Sequence, residues 1–109
     1  MKPVSWVGSS RTAIRTFSDE ARKEAGTQLR RVQNGLEPID WKSMSSVGLG
    51  VKEIRIHTQT ENRVIYVAKF AEAVYVLHAF VKKDEKTDKR DIEIARKRFA
   101  KLVDERKLS

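Results

Sequence analysis

Five side chains with chemical potential, Arg55, His57, Arg63, Lys69 and His78, fall within apolar runs of this chain, and Lys82, Lys83 and Lys86 follow at close spacing. Guanidinium and ammonium groups neutralise and orient a phosphate, and a histidine of suitable pKa moves a proton. Cleavage of RNA by its own 2′-hydroxyl needs both services. The hydroxyl must lose a proton, the charge developing on the phosphate must be neutralised, and the departing 5′-oxygen must be protonated. Other chemistries lack their parts. The chain has no Gly-rich phosphate loop, no nucleophile elbow and no cysteine. Two histidines in different strands make a poor metal site, so neither a metal nor a cofactor is expected.

Each candidate also has an ordinary structural explanation. Arg55 beside Glu53 suits a cross-strand ion pair on a solvated face, and His57 suits a polar surface position. His78, with apolar residues on both sides, suits a hydrogen-bonded core histidine. The three lysines suit a solvated approach to a helix. On these residues alone, nucleic-acid binding without catalysis is the better reading.

The elements that must position them are legible in the patterning. Runs 51–58, 63–70 and 73–81 are rich in Val, Ile, Tyr and Phe, and short polar breaks separate them. β-Branched and aromatic enrichment bounded by turn residues predicts strands. Connections this short join only antiparallel neighbours. In the first run Ile54 and Ile56 share one face, while Glu53, Arg55 and His57 share the other. Arg55 and Arg63 then lie in neighbouring strands and can converge on one phosphate. The third run, by strict alternation, sets Val74, Val76, His78 and Phe80 opposite Tyr75, Leu77, Ala79 and Val81. The second and third runs are apolar on both faces, as expected of central strands.

Before the meander, residues 2–7 predict a short strand at a sheet edge, where Pro3 costs no ladder bond. Ser9 or Ser10 offers a cap for a short helix to Phe17. Ser18 offers a second, with Asp19 and Glu20 in its first turn and Asn34-Gly35 as a stop. Gly26 weakens the interior of that helix. Residues 36–50, with Pro38, Gly48 and Gly50, read as a connecting loop. Trp41 and Met44 there cover the core edge, with base stacking a lesser role for Trp41. Thr87 or Asp88 caps a last helix over about residues 89–106, whose stripe is Ile92, Ala95, Phe99, Leu102 and Val103. The order is β-α-α-β-β-β-α, an α+β domain built on a small antiparallel sheet of about four strands with helices packed against it.

Whole-chain properties set the class of partner. The 109 residues suffice for a single domain, 1–109, with one modest core. A net charge of +8 favours a polyanion: nucleic acid, an acidic protein or a membrane surface. No apolar run approaches the ~20 residues of a membrane span, and no signal-peptide pattern opens the chain. A cytoplasmic protein is expected.

The phrase GVKEIRIHTQTENRVIYVAKF, then VYVLHAFVKKDEKT and the helix DIEIARKRF, resembles the RelE/ParE superfamily of type II toxin–antitoxin toxins, and within it the phage-derived HigB branch. Ala25-Gly26 through Gln33-x-Gly35 and Pro38-x-x-Trp41-Lys42 also match. The resemblance implies a four-stranded antiparallel sheet with helices on it. It also implies a ribosome-dependent endoribonuclease that cuts mRNA in the ribosomal A site, and neutralisation by a cognate antitoxin, a small helix-turn-helix protein. Arg55 then matches a basic strand residue of the active surface and Arg63 a phosphate-contacting arginine. Lys82, Lys83 and Lys86 match a basic, RNA-gripping segment. Glu53 departs from the pattern, since familiar members are basic there. No tyrosine follows Tyr75 to serve as acid or base, which leaves His57 or His78 for proton transfer. The superfamily also contains ParE-type gyrase inhibitors that cleave no RNA. The alternatives are therefore such an inhibitor, or a non-catalytic basic domain that binds nucleic acid or protein.

Overall fold

The computed structural model describes residues 1–83, Glu85 and 88–108. The elements follow the expected order with one addition: β1 (Val4–Trp6), α1 (Ser10–Arg15), α2 (Asp19–Gln33), β2 (Trp41–Ser43), β3 (Val51–His57), β4 (Glu61–Val67), β5 (Val74–Lys82) and α3 (Lys89–Leu108). They form one five-stranded sheet in the order β1-β5-β4-β3-β2. The α+β expectation holds, and two details differ from it. β1 runs parallel to β5, with Val4 beside Val74, because two helices intervene between them and carry the chain across. Residues 41–43, read from sequence as loop, pair with β3 as a short antiparallel edge strand. Three residues carry too little pattern to announce a strand. Their pairing comes from the open edge of β3.

Both helical signals at α2 act as read. The Ser18 hydroxyl accepts from the Ala21 amide at 3.2 Å, capping the helix start. At its end Gly35 takes φ +82°, and the Gly35 and Leu36 amides reach back to the Val32 and Arg31 carbonyls. That pair of bonds is a Schellman stop, which glycine permits because it has no Cβ. α1 is shorter than expected and has no side-chain cap. Ser10 instead turns inward and donates to the Val76 carbonyl at 3.0 Å. Asp88 caps α3 by accepting from the Arg90 amide at 2.8 Å, and the other cap candidate, Thr87, lies outside the described residues.

Helices cover both faces of the sheet. On one, Ile14, Phe17, Ala21, Ala25, Leu29 and Val32 from α1, α2 and the turn between them bury Ile54, Ile56, Val64, Tyr66, Val74, Val76 and Ala79. On the other, Ala95 and Leu102 of α3, with Phe99 beside them, pack on Val51, Ile65, Val67 and Leu77. These faces follow strict alternation except in β5. A register shift between Ile65 and Tyr66 pairs Ile65 with His78 and Tyr66 with Val76, leaving Leu77 as a bulge. The expected face for His78 and Phe80, shared with Val74 and Val76, is thereby corrected. One extra residue moves both to the α3 side, where Phe80 joins the α3 cluster and His78 reaches Asp91 of α3.

Candidate functional site

α3 starts beside His78 and runs along the sheet toward Glu72, where Arg106 ends on the Glu72 carboxylate at 2.7 Å. It therefore seals one end of its face and leaves the other open. Cross-strand register arranges the open end in three rows. The first holds Lys42, Glu53, Ile65 and His78, the second Arg55, Arg63 and Phe80, and the third His57, Glu61 and Lys82. Arg55 and Arg63, expected in neighbouring strands, are direct cross-strand partners. The bulge at Leu77 adds His78 to their neighbourhood.

The two arginines differ in their surroundings. Arg63 is only 5% exposed. Its Nη1 donates to the Asn62 carbonyl at 3.0 Å and its Nη2 to Glu61 Oε1 at 3.2 Å. Its Nε lies 3.7 Å from Glu53 Oε1, an ion pair without a hydrogen bond. Arg55 is half-buried, and its side chain has no hydrogen-bond or ion-pair partner among the described residues. The expected Arg55–Glu53 pair is absent from that set. Glu53, fully buried, faces Arg63 and Lys42, the latter at 3.8 Å.

The two histidines also differ. His57 is exposed, and each ring nitrogen meets a carboxylate: Nδ1 to Glu61 at 2.8 Å and Nε2 to Asp40 at 2.5 Å. Carboxylates only accept, so this clamp holds the doubly protonated ring. The Asp40 hydrogen bond, then that of Glu61, raises its pKa above the ordinary 6.5. In return His57 first, and Arg63 after it, hold the Glu61 carboxyl below its usual range. A ring in that state has no lone pair to take a proton. His78 is buried and stacked on Phe80, and its Nε2 lies 2.7 Å from Asp91 Oδ1. The neutral ring facing Asp91 carries its proton on Nε2, which puts the lone pair on Nδ1. That Nδ1 is buried without a partner.

Beside the dyad, a cleft of roughly 270 Å³ is lined by Phe80, Lys82, Lys83, Asp88, Arg90 and Asp91. Lys82 and Lys83 thus adjoin the arginine row, while Lys86 lies outside the described residues. Arg90, in the first turn of α3, completes the cleft's positive lining together with the helix's own N-terminal dipole. The sequence alone singled out none of Arg90, Asp91, Glu61 and Asp40 as site residues. Asp91 carried a signal in hindsight, as an acidic residue in the first turn of the helix that follows the histidine's strand. Asp40 carried none, because its role depends on where the loop before β2 lands.

The described residues thus form a small α+β protein, a mixed sheet with helices on both faces and one end left open by α3. The sequence matches the phage-derived Gp49-like protein family (DUF891) over residues 12–100, and the chain belongs to it. That family comprises RelE-like toxins of toxin–antitoxin systems. The match spans every described candidate residue. No curated protein matches the sequence. Among the described residues no helix is long and apolar enough to cross a membrane.

Proposed function

We propose that this protein is the toxin of a HigB-like type II toxin–antitoxin module, and that it cleaves mRNA in the ribosomal A site without a metal, through the RNA 2′-hydroxyl. One observation carries the reading: the sheet end left open by α3 gathers Arg55, Arg63, Lys82 and Lys83 beside the His78–Asp91 dyad. Arg55 and Arg63 set the positive potential opposite the phosphate, where charge grows in the transition state. Lys82, Lys83 and Lys86 hold the RNA backbone. Of the two histidines, His78 is the proton-transfer candidate, since Asp91 fixes its tautomer. His57, clamped as a cation, contributes charge instead. The setting is the cytoplasm, and the cognate antitoxin is a helix-turn-helix protein. Because most of the attraction is to phosphate, RNA binding weakens with salt.

Primer extension on a defined message, in cells induced for this protein or for Arg55→Ala, tests the proposal. Arg55 is the informative position because its side chain anchors nothing else, so the variant folds. Codon-phased cuts within translated regions, absent in the variant, support ribosome-dependent cleavage. Growth arrest with intact messages replaces the reading with a ParE-like gyrase inhibitor. Normal growth with intact messages leaves a non-catalytic basic binding domain.

A further inference from the structure

Six charged side chains run across β2, β3, β4 and the loop before β2 in alternating sign. Lys42 Nζ lies 3.8 Å from Glu53 Oε1, and that same oxygen lies 3.7 Å from Arg63 Nε. Arg63 Nη2 donates to Glu61 Oε1 at 3.2 Å, which also accepts from His57 Nδ1 at 2.8 Å. His57 Nε2 donates to Asp40 at 2.5 Å. With His57 protonated, three positive and three negative groups cancel. Arg55 sits within this arc, between Glu53 and His57 on the same face of β3 and opposite Arg63, yet is joined to none of them.

The arrangement is a poor way to stabilise a fold. Glu53 is wholly buried and neither carboxylate oxygen receives a hydrogen bond. A buried ion pair of that kind is commonly matched or bettered by apolar residues of similar volume. Its effect is clearer on Arg63, whose three faces are occupied by Glu53, Glu61 and the Asn62 carbonyl. Such a guanidinium has no fork to offer a phosphate. Arg55 keeps its fork free, and bidentate contact is what guanidinium does best with phosphate oxygens.

We infer that Arg55 is the group that contacts the scissile phosphate, and that Arg63 is a positioning residue held by the Lys42–Glu53–Arg63–Glu61–His57–Asp40 chain. This division of labour rests on the RNA-cleaving reading of the site. Arg63 and its carboxylates form a rigid, internally neutral floor beneath the phosphate.

Two measurements on the full chain test the inference. In the first, arginine side-chain Nε–H resonances are followed while inorganic phosphate is added. This readout needs neither RNA nor cleavage, so it stands even if the proposed activity fails. The Arg55 resonance is expected to shift and the Arg63 resonance to stay. A shift of Arg63 equal to or larger than that of Arg55 overturns the assignment. The second compares Arg55→Ala with the double variant Glu53→Met/Arg63→Met, in which both buried charges are removed together so that folding survives. Affinity is measured on a 2′-O-methylated RNA that cannot be cut, and rate in a ribosome-dependent cleavage assay. Arg55→Ala is expected to weaken RNA binding about tenfold, the size of one charge-assisted contact. The double variant is expected to bind within about threefold of wild type, a loss of well under one such contact, but to cleave at least about tenfold more slowly. Weakened binding with an unchanged rate in the folded double variant makes Arg63 a contact and overturns the proposal. Unchanged binding and rate make the charge chain structural only, which also overturns it.

Discussion

The two ends of the sheet face that carries α3 are built from the same three strands and behave in opposite ways. At one end Val51, Val67 and Leu77 lie under Ala95 and Leu102 and are almost dry. At the other, Glu53, Arg55, Arg63, His57 and His78 occupy equivalent positions in the pleat, with the first turn of α3 beside His78 and Glu20, Glu24 and Gln28 of α2 lining a pocket with Arg55 and His57. The difference lies in where the helix begins, since β3, β4 and β5 stay paired through both ends apart from the bulge at Leu77. A helix laid over the whole face would have demanded apolar residues throughout. Starting it beside His78 frees one end to hold charge, and the closed end supplies the burial that keeps the strands in register.

The contrast predicts how each end breaks. Arg63→Ala removes the buried partner of Glu53 and strands a carboxylate, so it is expected to destabilise the protein by about 3–5 kcal/mol. Leu77→Ala, in the closed end, empties packing volume and is expected to cost about 2–5 kcal/mol. Denaturant unfolding of both variants reads the two values. If Arg63→Ala proves no more costly than an exposed substitution, the open end is not built on its ion pairs.

pH sharpens the comparison further, since the open end carries the His57 clamp. The folded pKa of His57 is raised above 6.5, so its stabilising contribution is complete below 6.5 and is lost as pH rises through the raised value. Glu61 is lowered from 4.5, so its contribution is present above 4.5 and is lost as pH falls through the lowered value. The clamp is thus strongest between 4.5 and 6.5. The His57 ring signal is expected to titrate with a midpoint above 6.5, moving down in Glu61→Gln. A wild-type midpoint at or below 6.5 would remove the clamp from the account. The smallest effect belongs to neither end. Gly26 lies in α2 with no atom within 4 Å of where a Cβ would stand, so Gly26→Ala is expected to add about 1 kcal/mol of stability. The proposed RNA binding and cleavage should not change with it.

Local chemistry alone determined much of this molecule. β-Branched runs and turn residues announced β3, β4 and β5. Ser18 and Asn34-Gly35 bounded α2, because caps and stops are satisfied by neighbours a few residues away. The period of two placed Glu53, Arg55 and His57 on one face, and short connections made Arg55 and Arg63 neighbours. Three features were decided only by tertiary structure. The bulge at Leu77 turned His78 to the arginine side, and a one-residue slip leaves no mark in a run apolar on both faces. Residues 41–43 became a strand only because β3 offered an unpaired edge. Arg63 was committed to Glu53 and Glu61 while Arg55 was left open, since which charges touch depends on where each side chain is buried, and burial is set by the position of α3.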